Sequence, residues 1–463
     1  MSSTGAAGPT VIRGGNVVLA DRVAYAHDVV VEEGRIVGIR PSASAPARPD
    51  APPARPDKLS APPPPGAAVI DARGAWVAPG FIDIHSDYVE GVASPRPGVL
   101  MDLGAALFGT DREMAAYGVT TIYHSLSVYR MLVFDHKPIR RFENVSRLVA
   151  LIDGMRAGEA RRHLVRHRVH LRVEADAVDR LEQIEGLLRD GRIDLLSFMD
   201  HTPGQGQYRD LKVFGDTLKG YRPSLSDAEV HDVVAAQQAA PRLTLEQMGR
   251  LARIAQQRGI AVASHDDDST AKLAAMQGIG VSISEFPLTL DIAKAARARG
   301  LHTIAGAPNV LLGRSHSGNL SARESIGAGA TDILCSDYCP AALLSAVFAL
   351  NRCCGIDLAR AFALVTVNPA RAAGIAHELG EVAVGKCADL LVIREHDGIG
   401  EGRGAGEGPG RDVGAGSGAD AGESWGVGEG EGPGTPFVER ALVDGHVVYR
   451  SCYPCLVRRE RCA

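Results

Sequence analysis

Aromatic residues are scarce in this chain of 463: 2 Trp, 10 Tyr and 10 Phe. No apolar run reaches the ~18 residues of a membrane span, which argues against a helical membrane protein. The start, Met1-Ser-Ser-Thr-Gly-Ala-Ala-Gly8, lacks a basic n-region and an apolar stretch, so no secretory signal is expected and a cytoplasmic setting is. The eight cysteines (Cys335, Cys339, Cys353, Cys354, Cys387, Cys452, Cys455 and Cys462) are too few for a disulfide scaffold and suit a reducing compartment. Cys452 and Cys455 form a lone Cys-x-x-Cys with no second pair, so a zinc knuckle is not expected. Basic charge is lacking too. With 50 Lys+Arg against 55 Asp+Glu the formal net charge is −5, which argues against a general nucleic-acid binder.

Glycine, at 53 residues, looks abundant, but 16 of these fall within 397–436. A second biased stretch, 41–67, holds 10 Pro and 7 Ala. Neither composition can bury a core, and both read as solvated insertions in an otherwise ordinary globular chain. Residues 11–40 read as short strands, with Glu33-Gly34 as a hairpin turn between β-branched runs. Strand-like runs follow at 81–87, 118–124, 169–174, 194–200, 260–265, 281–285, 302–306 and 332–337. Helical spacing recurs between them, as at 178–190 and 242–258. Such alternation implies a parallel sheet, and about eight units fit a (β/α)8 TIM-like barrel. A doubly wound sheet stays open, as does a further strand within 125–168 or a loop at 302–306. Gly380–Ile393 reads as hairpin-like, and Ala441–Tyr449 as two strands about Asp444-Gly445. The expected organisation is a small β-sandwich domain from both chain ends (9–76 and 377–450), a barrel (77–376) and a tail (451–463).

Six metal-ligand side chains sit at the C-terminal ends of these strands. His85 and Asp87 close the first as His-x-Asp, where residues i and i+2 share a side. Glu174 ends His170-Leu-Arg-Val-Glu174 and His201 ends Ser197-Phe-Met-Asp-His201. His265 opens His-Asp-Asp-Asp, and Asp337 ends Ile333-Leu-Cys-Ser-Asp337. Each alone is ordinarily a hydrogen-bonded loop residue. Together, on strand ends that converge at one barrel face, three imidazoles and three carboxylates suit a zinc-type divalent metal pair. Cys335, two residues before Asp337, reads as core.

Val77-Ala-Pro-Gly-Phe-Ile-Asp-Ile-His-Ser-Asp87 resembles the first-strand motif of the amidohydrolase superfamily, and Gly380–Ile393 its β-domain signature. Met199–Tyr208, Ala263–Asp268, Ser284–Pro287, Gly306–Asn309, Ser315–Asn319 and Ser336–Tyr338 resemble the PhnM family within it, the triphosphate diphosphatases of phosphonate catabolism. The resemblance runs over about 11–395 and resumes at 437. It implies metal-dependent hydrolysis of α-D-ribose 1-methylphosphonate 5-triphosphate to the 5-phosphate and pyrophosphate, in the carbon–phosphorus lyase pathway. The implied cofactors are one or two Zn2+, with Mg2+ accompanying the triphosphate. The implied partner is a small phosphorylated ribose, with neither nucleic acid nor membrane, and a homo-oligomer is left open. Asp87 stands where the superfamily usually has a second His, and Glu174 where many members have a carboxylated Lys.

In this reading Asp337 is the general base and His265 a second catalytic group. Substrate contacts are expected from Gln205, Gln207, Tyr208 and Lys219 in the long segment 201–240, and from Arg314, Ser315, His316, Ser317 and Asn319. The family has Gly where Arg314 stands, so Arg314 either adds a phosphate fork or obstructs the loop. Of Asp266, Asp267 and Asp268, the first is expected to orient His265 or hold Mg2+. The rivals are a cyclic-amide hydrolase or deaminase on the same scaffold, and a barrel that has lost catalysis.

Overall fold

The computed structural model describes residues 8–42, 66–130, 137–156, 163–313, 320–396 and 434–451. Most of both low-complexity stretches lies outside them, as do Arg314, Ser315, His316, Ser317, Asn319 and the cysteines beyond 451.

Among the described residues, sixteen strands form two sheets of eight. The first sheet comes from both chain ends: β1 (Thr10–Val18), β2 (Val23–Glu32), β3 (Arg35–Pro41), β4 (Ala68–Asp71), β5 (Trp76–Pro79), β14 (Leu390–His396), β15 (Thr435–Val443) and β16 (His446–Arg450). It is largely antiparallel, though β4 and β5 both run parallel to β1. Its two tight turns, Glu33-Gly34 and Asp444-Gly445, have positive φ at both positions, the pattern of a type I′ hairpin. They abut one another: a Cβ on Gly34 would come within 2.9 Å of the Asp444 carbonyl oxygen, and one on Gly445 within 2.9 Å of Val31. The N- and C-terminal hairpins thus lock together over a core that includes Ile12, Val29, Ile36, Val77, Leu390 and Leu442.

The second sheet is the barrel: β6 (Phe81–Ser86), β7 (Val119–Val128), β8 (Arg166–Glu174), β9 (Leu195–Met199), β10 (Ala261–His265), β11 (Ile283–Glu285), β12 (His302–Gly306) and β13 (Ile333–Cys335). Each pairs in parallel with its sequence neighbour. A bridge between Ser86 and Asp337 closes the ring. Helices follow the strands, including Leu181–Arg189 and Leu245–Gln257 at the expected helical stretches. All eight expected strands are present; 302–306 is β12, and no strand beyond β7 and β8 lies in the described part of 125–168.

Strand alternation sorts each side chain to one side of the wall. Tyr123, Leu195, Ala263, Ile283, Ile304, Ile333 and Cys335 pack as an apolar plug below the mouth. Cys335 is fully buried there, with its thiol pKa pushed up by burial, in line with its reading as core. One local reading changes. Within Gly380–Ile393 only 390–393 are strand, the start of β14, and 380–389 form turns with Gly380 and Gly385 at positive φ. The antiparallel partners of β14 are β5 and β15, so the hairpin expected inside this stretch is closed from elsewhere in the chain.

Candidate metal centre

The buried polar residues of the barrel gather at the C-terminal mouth, above the apolar plug. His85, the last residue but one of β6, is 1% exposed; its Nδ1 lies 3.1 Å from Glu285 Oε1. Glu285 ends β11 and is fully buried. Its Oε1 is also 3.5 Å from His170 Nε2, and its Oε2 accepts a 2.7 Å bond from Ser197 Oγ. Burial opposes charge on both His85 and Glu285. Their mutual attraction outweighs it, raising the His85 pKa and lowering that of Glu285, the latter helped by His170. His170, buried in the barrel beside them, stays neutral: burial lowers its pKa to about 3.

His201 follows β9. Glu174, at the end of β8, takes its backbone N–H through Oε1 at 2.6 Å and its Nδ1 through Oε2 at 2.8 Å. The Nε2 of His201 lies 3.6 Å from Asp266 Oδ2, which is 3.1 Å from His265 Nδ1. Burial works against a charged His201, yet Glu174 and Asp266 together raise its pKa well above the ordinary value. The His265 ring lies 5.6 Å from both the His85 and His201 rings. The ligand atoms of His85, His265 and Glu285 all lie within 4.8 Å of one another, as do those of His201, His265 and Asp266. His265 belongs to both groups.

This donor set fits a divalent cation. Imidazole with carboxylate is the mixture that zinc-type ions take. Moreover, His170 Nε2, His265 Nδ1 and Asp266 Oδ2 are buried without a well-formed hydrogen bond, although acidic and basic atoms stand close by. Buried polar atoms are ordinarily satisfied, so a cluster of unsatisfied ones facing each other suits an ion between them.

Three of the six expected ligands, His85, His201 and His265, enter these two groups. Glu174 is bonded to His201 and acts through it. Asp337 follows β13 in the left-handed region (φ 56°); its backbone N–H donates to the His85 carbonyl at 3.1 Å, and its carbonyl accepts from Asp87 N–H at 2.7 Å. Gly306 lies opposite: a Cβ there would sit at ordinary contact distance, 3.5 Å, from Asp337 Oδ2. Asp87 departs from expectation. Strand β6 ends at Ser86, and Asp87 is the N-cap residue of the helix Tyr88–Ala93, so strand alternation no longer applies. Its carboxylate instead accepts from Arg172 Nη1 at 2.6 Å.

Of the aspartate run, Asp266 faces the two histidines, whereas Asp267 accepts from Ser264 Oγ and Ser284 Oγ. Tyr208 is at the mouth, its ring 6.1 Å from that of His201, and Gln205 is exposed nearby. Gln207 lies on the same short turn, Gly206–Tyr208. Lys219 does not join this set; its ammonium pairs with Asp227 on the exposed surface. Arg314 and the Ser315–Asn319 loop fall outside the described residues. Sequence reasoning passed over Glu285, His170 and Arg172. Two signals were available: Glu285 closes an expected strand, and 170, 172 and 174 share one alternation phase.

Comparison with known proteins gives the family and the fold. The amidohydrolase family model matches residues 218–399. A curated relative, the alpha-D-ribose 1-methylphosphonate 5-triphosphate diphosphatase of Escherichia coli (strain K12), is 35% identical over 334 residues, covering 71% of this chain and 85% of that protein. Among solved structures, a Xaa-Pro dipeptidase with bound methionine superposes with a TM-score of 0.55 at 13% identity, over 96% of this chain and all of the other. A dihydropyrimidinase from Brevibacillus agri gives 0.52 at 14% identity, over 96% and 95%. At such identities these structures show the shared fold. No helix among the described residues is long and apolar enough to cross a membrane.

Proposed function

The chain belongs to the amidohydrolase family, and from that premise we propose that it hydrolyses α-D-ribose 1-methylphosphonate 5-triphosphate to the 5-phosphate and pyrophosphate, a step of phosphonate catabolism. The observation that carries this reading is the 35% identity, over most of both chains, to a diphosphatase of that name. The buried histidine–carboxylate cluster supports the chemistry.

His85, His265 and Glu285 would hold one divalent ion, and His201, His265 and Asp266 a second; Zn2+ suits both sets, with Mg2+ accompanying the substrate. Such ions neutralise charge on phosphoryl oxygens and bring the pKa of water towards ~7. The chain's own residues do the rest. Glu174 and Glu285 fix the ring orientations of His201 and His265's neighbour His85. Asp337, anchored through its backbone to His85 and Asp87, accepts the proton of the attacking water. Attack at the α-phosphorus leaves pyrophosphate intact as the leaving group. Tyr208 and Gln205 stand at the approach, with Gln207, Arg314 and the Ser315–Asn319 loop as further substrate contacts. The proposal includes a cytoplasmic setting, which suits a phosphorylated sugar and the free cysteines among the described residues.

The test is incubation of the metal-loaded full chain with the triphosphate, followed by phosphorus NMR. Pyrophosphate and ribose 1-methylphosphonate 5-phosphate signals in equal amounts are expected. Absence of pyrophosphate at full metal occupancy, with turnover of dihydroorotate or a hydantoin, would overturn the reading in favour of a cyclic-amide hydrolase.

A further inference from the structure

Arg172 lies on β8 between His170 and Glu174 and shares their inward phase. In register it stands beside Ser197, the residue that donates to Glu285. Its side chain is 7% exposed, so this is a buried guanidinium next to the candidate metal centre. Nη1 donates to Asp87 Oδ1, while Nε is buried with no hydrogen-bond partner. A second guanidinium approaches from the other side. Arg140, at the end of the turn Pro138–Arg140, donates through Nε to Glu90 Oε2 at 2.8 Å, and its Nη2 lies 3.9 Å from Asp87 Oδ2. Lys137 completes the group at the rim, its Nζ 4.0 Å from Glu90 Oε2.

Among the described residues, three cations therefore face two carboxylates, Asp87 and Glu90, an excess of positive charge. A guanidinium has five N–H donors in a fixed fork, and an unpaired donor in a buried site is costly. Structural ion pairs are normally balanced and satisfied. An excess cation with an orphaned N–H, set beside a hydrolytic centre and open to solvent through Lys137 and Asp87, has the character of an anion subsite.

We propose that Arg172 and Arg140, with Lys137 at the rim, bind the phosphate chain of a polyphosphate substrate, and that Asp87 holds the two guanidiniums in position. The identity of the ligand rests on the diphosphatase reading; the subsite itself rests on the cation cluster. It also supplies positive charge that Lys219, paired with Asp227, does not bring to the mouth.

Calorimetric titration of the metal-loaded enzyme with magnesium tripolyphosphate, in excess Mg2+, tests this directly. Arg140→Gln and Arg172→Gln should each weaken binding about 10- to 100-fold, the value of a charge-assisted hydrogen bond. Inorganic phosphate, which spans less of the cluster, should lose less. With the ribose triphosphate, KM should rise by a similar factor at unchanged metal content, and Arg140→Lys should recover part of the affinity. Unchanged tripolyphosphate binding in folded, metal-replete Gln variants would overturn the subsite and leave a structural ion-pair network. Wild-type protein that binds tripolyphosphate through these arginines but releases no pyrophosphate would instead overturn the diphosphatase reading and leave the subsite standing.

Discussion

Replacing Glu285 by Gln isolates one charge in the barrel with little change in shape. The carboxylate is fully buried and serves three side chains: His85 Nδ1 at 3.1 Å, His170 Nε2 at 3.5 Å and Ser197 Oγ at 2.7 Å. An amide retains one acceptor, which Ser197 can still use, but turns an NH2 towards one of the imidazoles. The charge that favours a proton on His85 Nδ1 is then lost, and with it the contact that orients the ring. Losing one hydrogen bond to a charged group costs about 1.5–3 kcal/mol. Removing a partner that supports a metal-binding imidazole typically costs 10- to 100-fold in metal affinity, or about 1.4–2.7 kcal/mol. The two routes agree, so Glu285→Gln should raise the zinc dissociation constant about 10- to 100-fold, whether Glu285 binds the ion itself or acts through His85. Competition against a chromogenic chelator reads this directly, and circular dichroism checks the fold. An affinity within twofold of wild type, in a folded variant, would refute the assignment of Glu285 to the centre.

Three further outcomes follow from other parts of the molecule. Asp337→Asn should abolish pyrophosphate release while the chain stays folded, because the backbone bonds that hold its turn to His85 and Asp87 are kept; an unaltered rate would remove it as the base. The buried chain His124–His167–Asp111, with contacts of 2.8 and 3.0 Å, should make the fold acid-sensitive. Burial, aided by repulsion from His167, holds the His124 pKa well below its ordinary value, so the unfolded state takes up a proton near pH 6.5 that the folded state refuses. Stability is then full above pH 6.5 and lost as pH falls, by up to about 1.4 kcal/mol per pH unit for this group. Urea midpoints at pH 7.5 and 5.5 should diverge in wild type and converge in His124→Asn; equal divergence in both would locate the effect elsewhere. Finally, His396 and Thr435 are direct partners across β14 and β15, so Asn-Gly in place of 397–434 can close that hairpin. Unfolding temperature and turnover should stay near wild type, at the loss of one bond from Arg352 to the Gly434 carbonyl; loss of metal binding would show that the segment does more than connect.

How much was legible in the sequence depended on which local rule still applied at each residue. Strand positions were readable because short stretches rich in apolar and β-branched residues alternate with helical spacing, and the three histidines at or just past their ends were readable with them. Asp87 was misjudged because the period of two stops at Ser86, where a helix begins and turns the carboxylate to Arg172. Arg172 and His170 were hidden for the opposite reason. They lie inside a strand, where the expectation is packing, and only the long β8, reaching back to Arg166, makes their inward phase plain. The turns at 380–389 imitate a strand by composition, but their backbone bonds go to Gly34 and Ile36, distant partners that no short window contains.

The step from strand ends to a working centre depends on a backbone feature that residue patterns do not display. Asp266, Phe286 and Asp337 each follow a barrel strand by one or two residues, and all three sit at positive φ, between 52° and 56°. For Asp this region is tolerated; for a bulky residue such as Phe it costs on the order of 1–3 kcal/mol. The cost is met because the ring of Phe286, so turned, packs 5.0 Å from His85 and 5.1 Å from His265. In an extended continuation, alternation would send the side chain of Phe286 to the helix side of the wall, leaving both imidazoles without that support. The same reversal turns Asp266 back towards His201 and His265. At the ends of β10 and β11 the left-handed turns thus add a second inward-facing residue that a period of two forbids. A centre with ligands from only eight short strands needs that addition to become dense enough to bind metal.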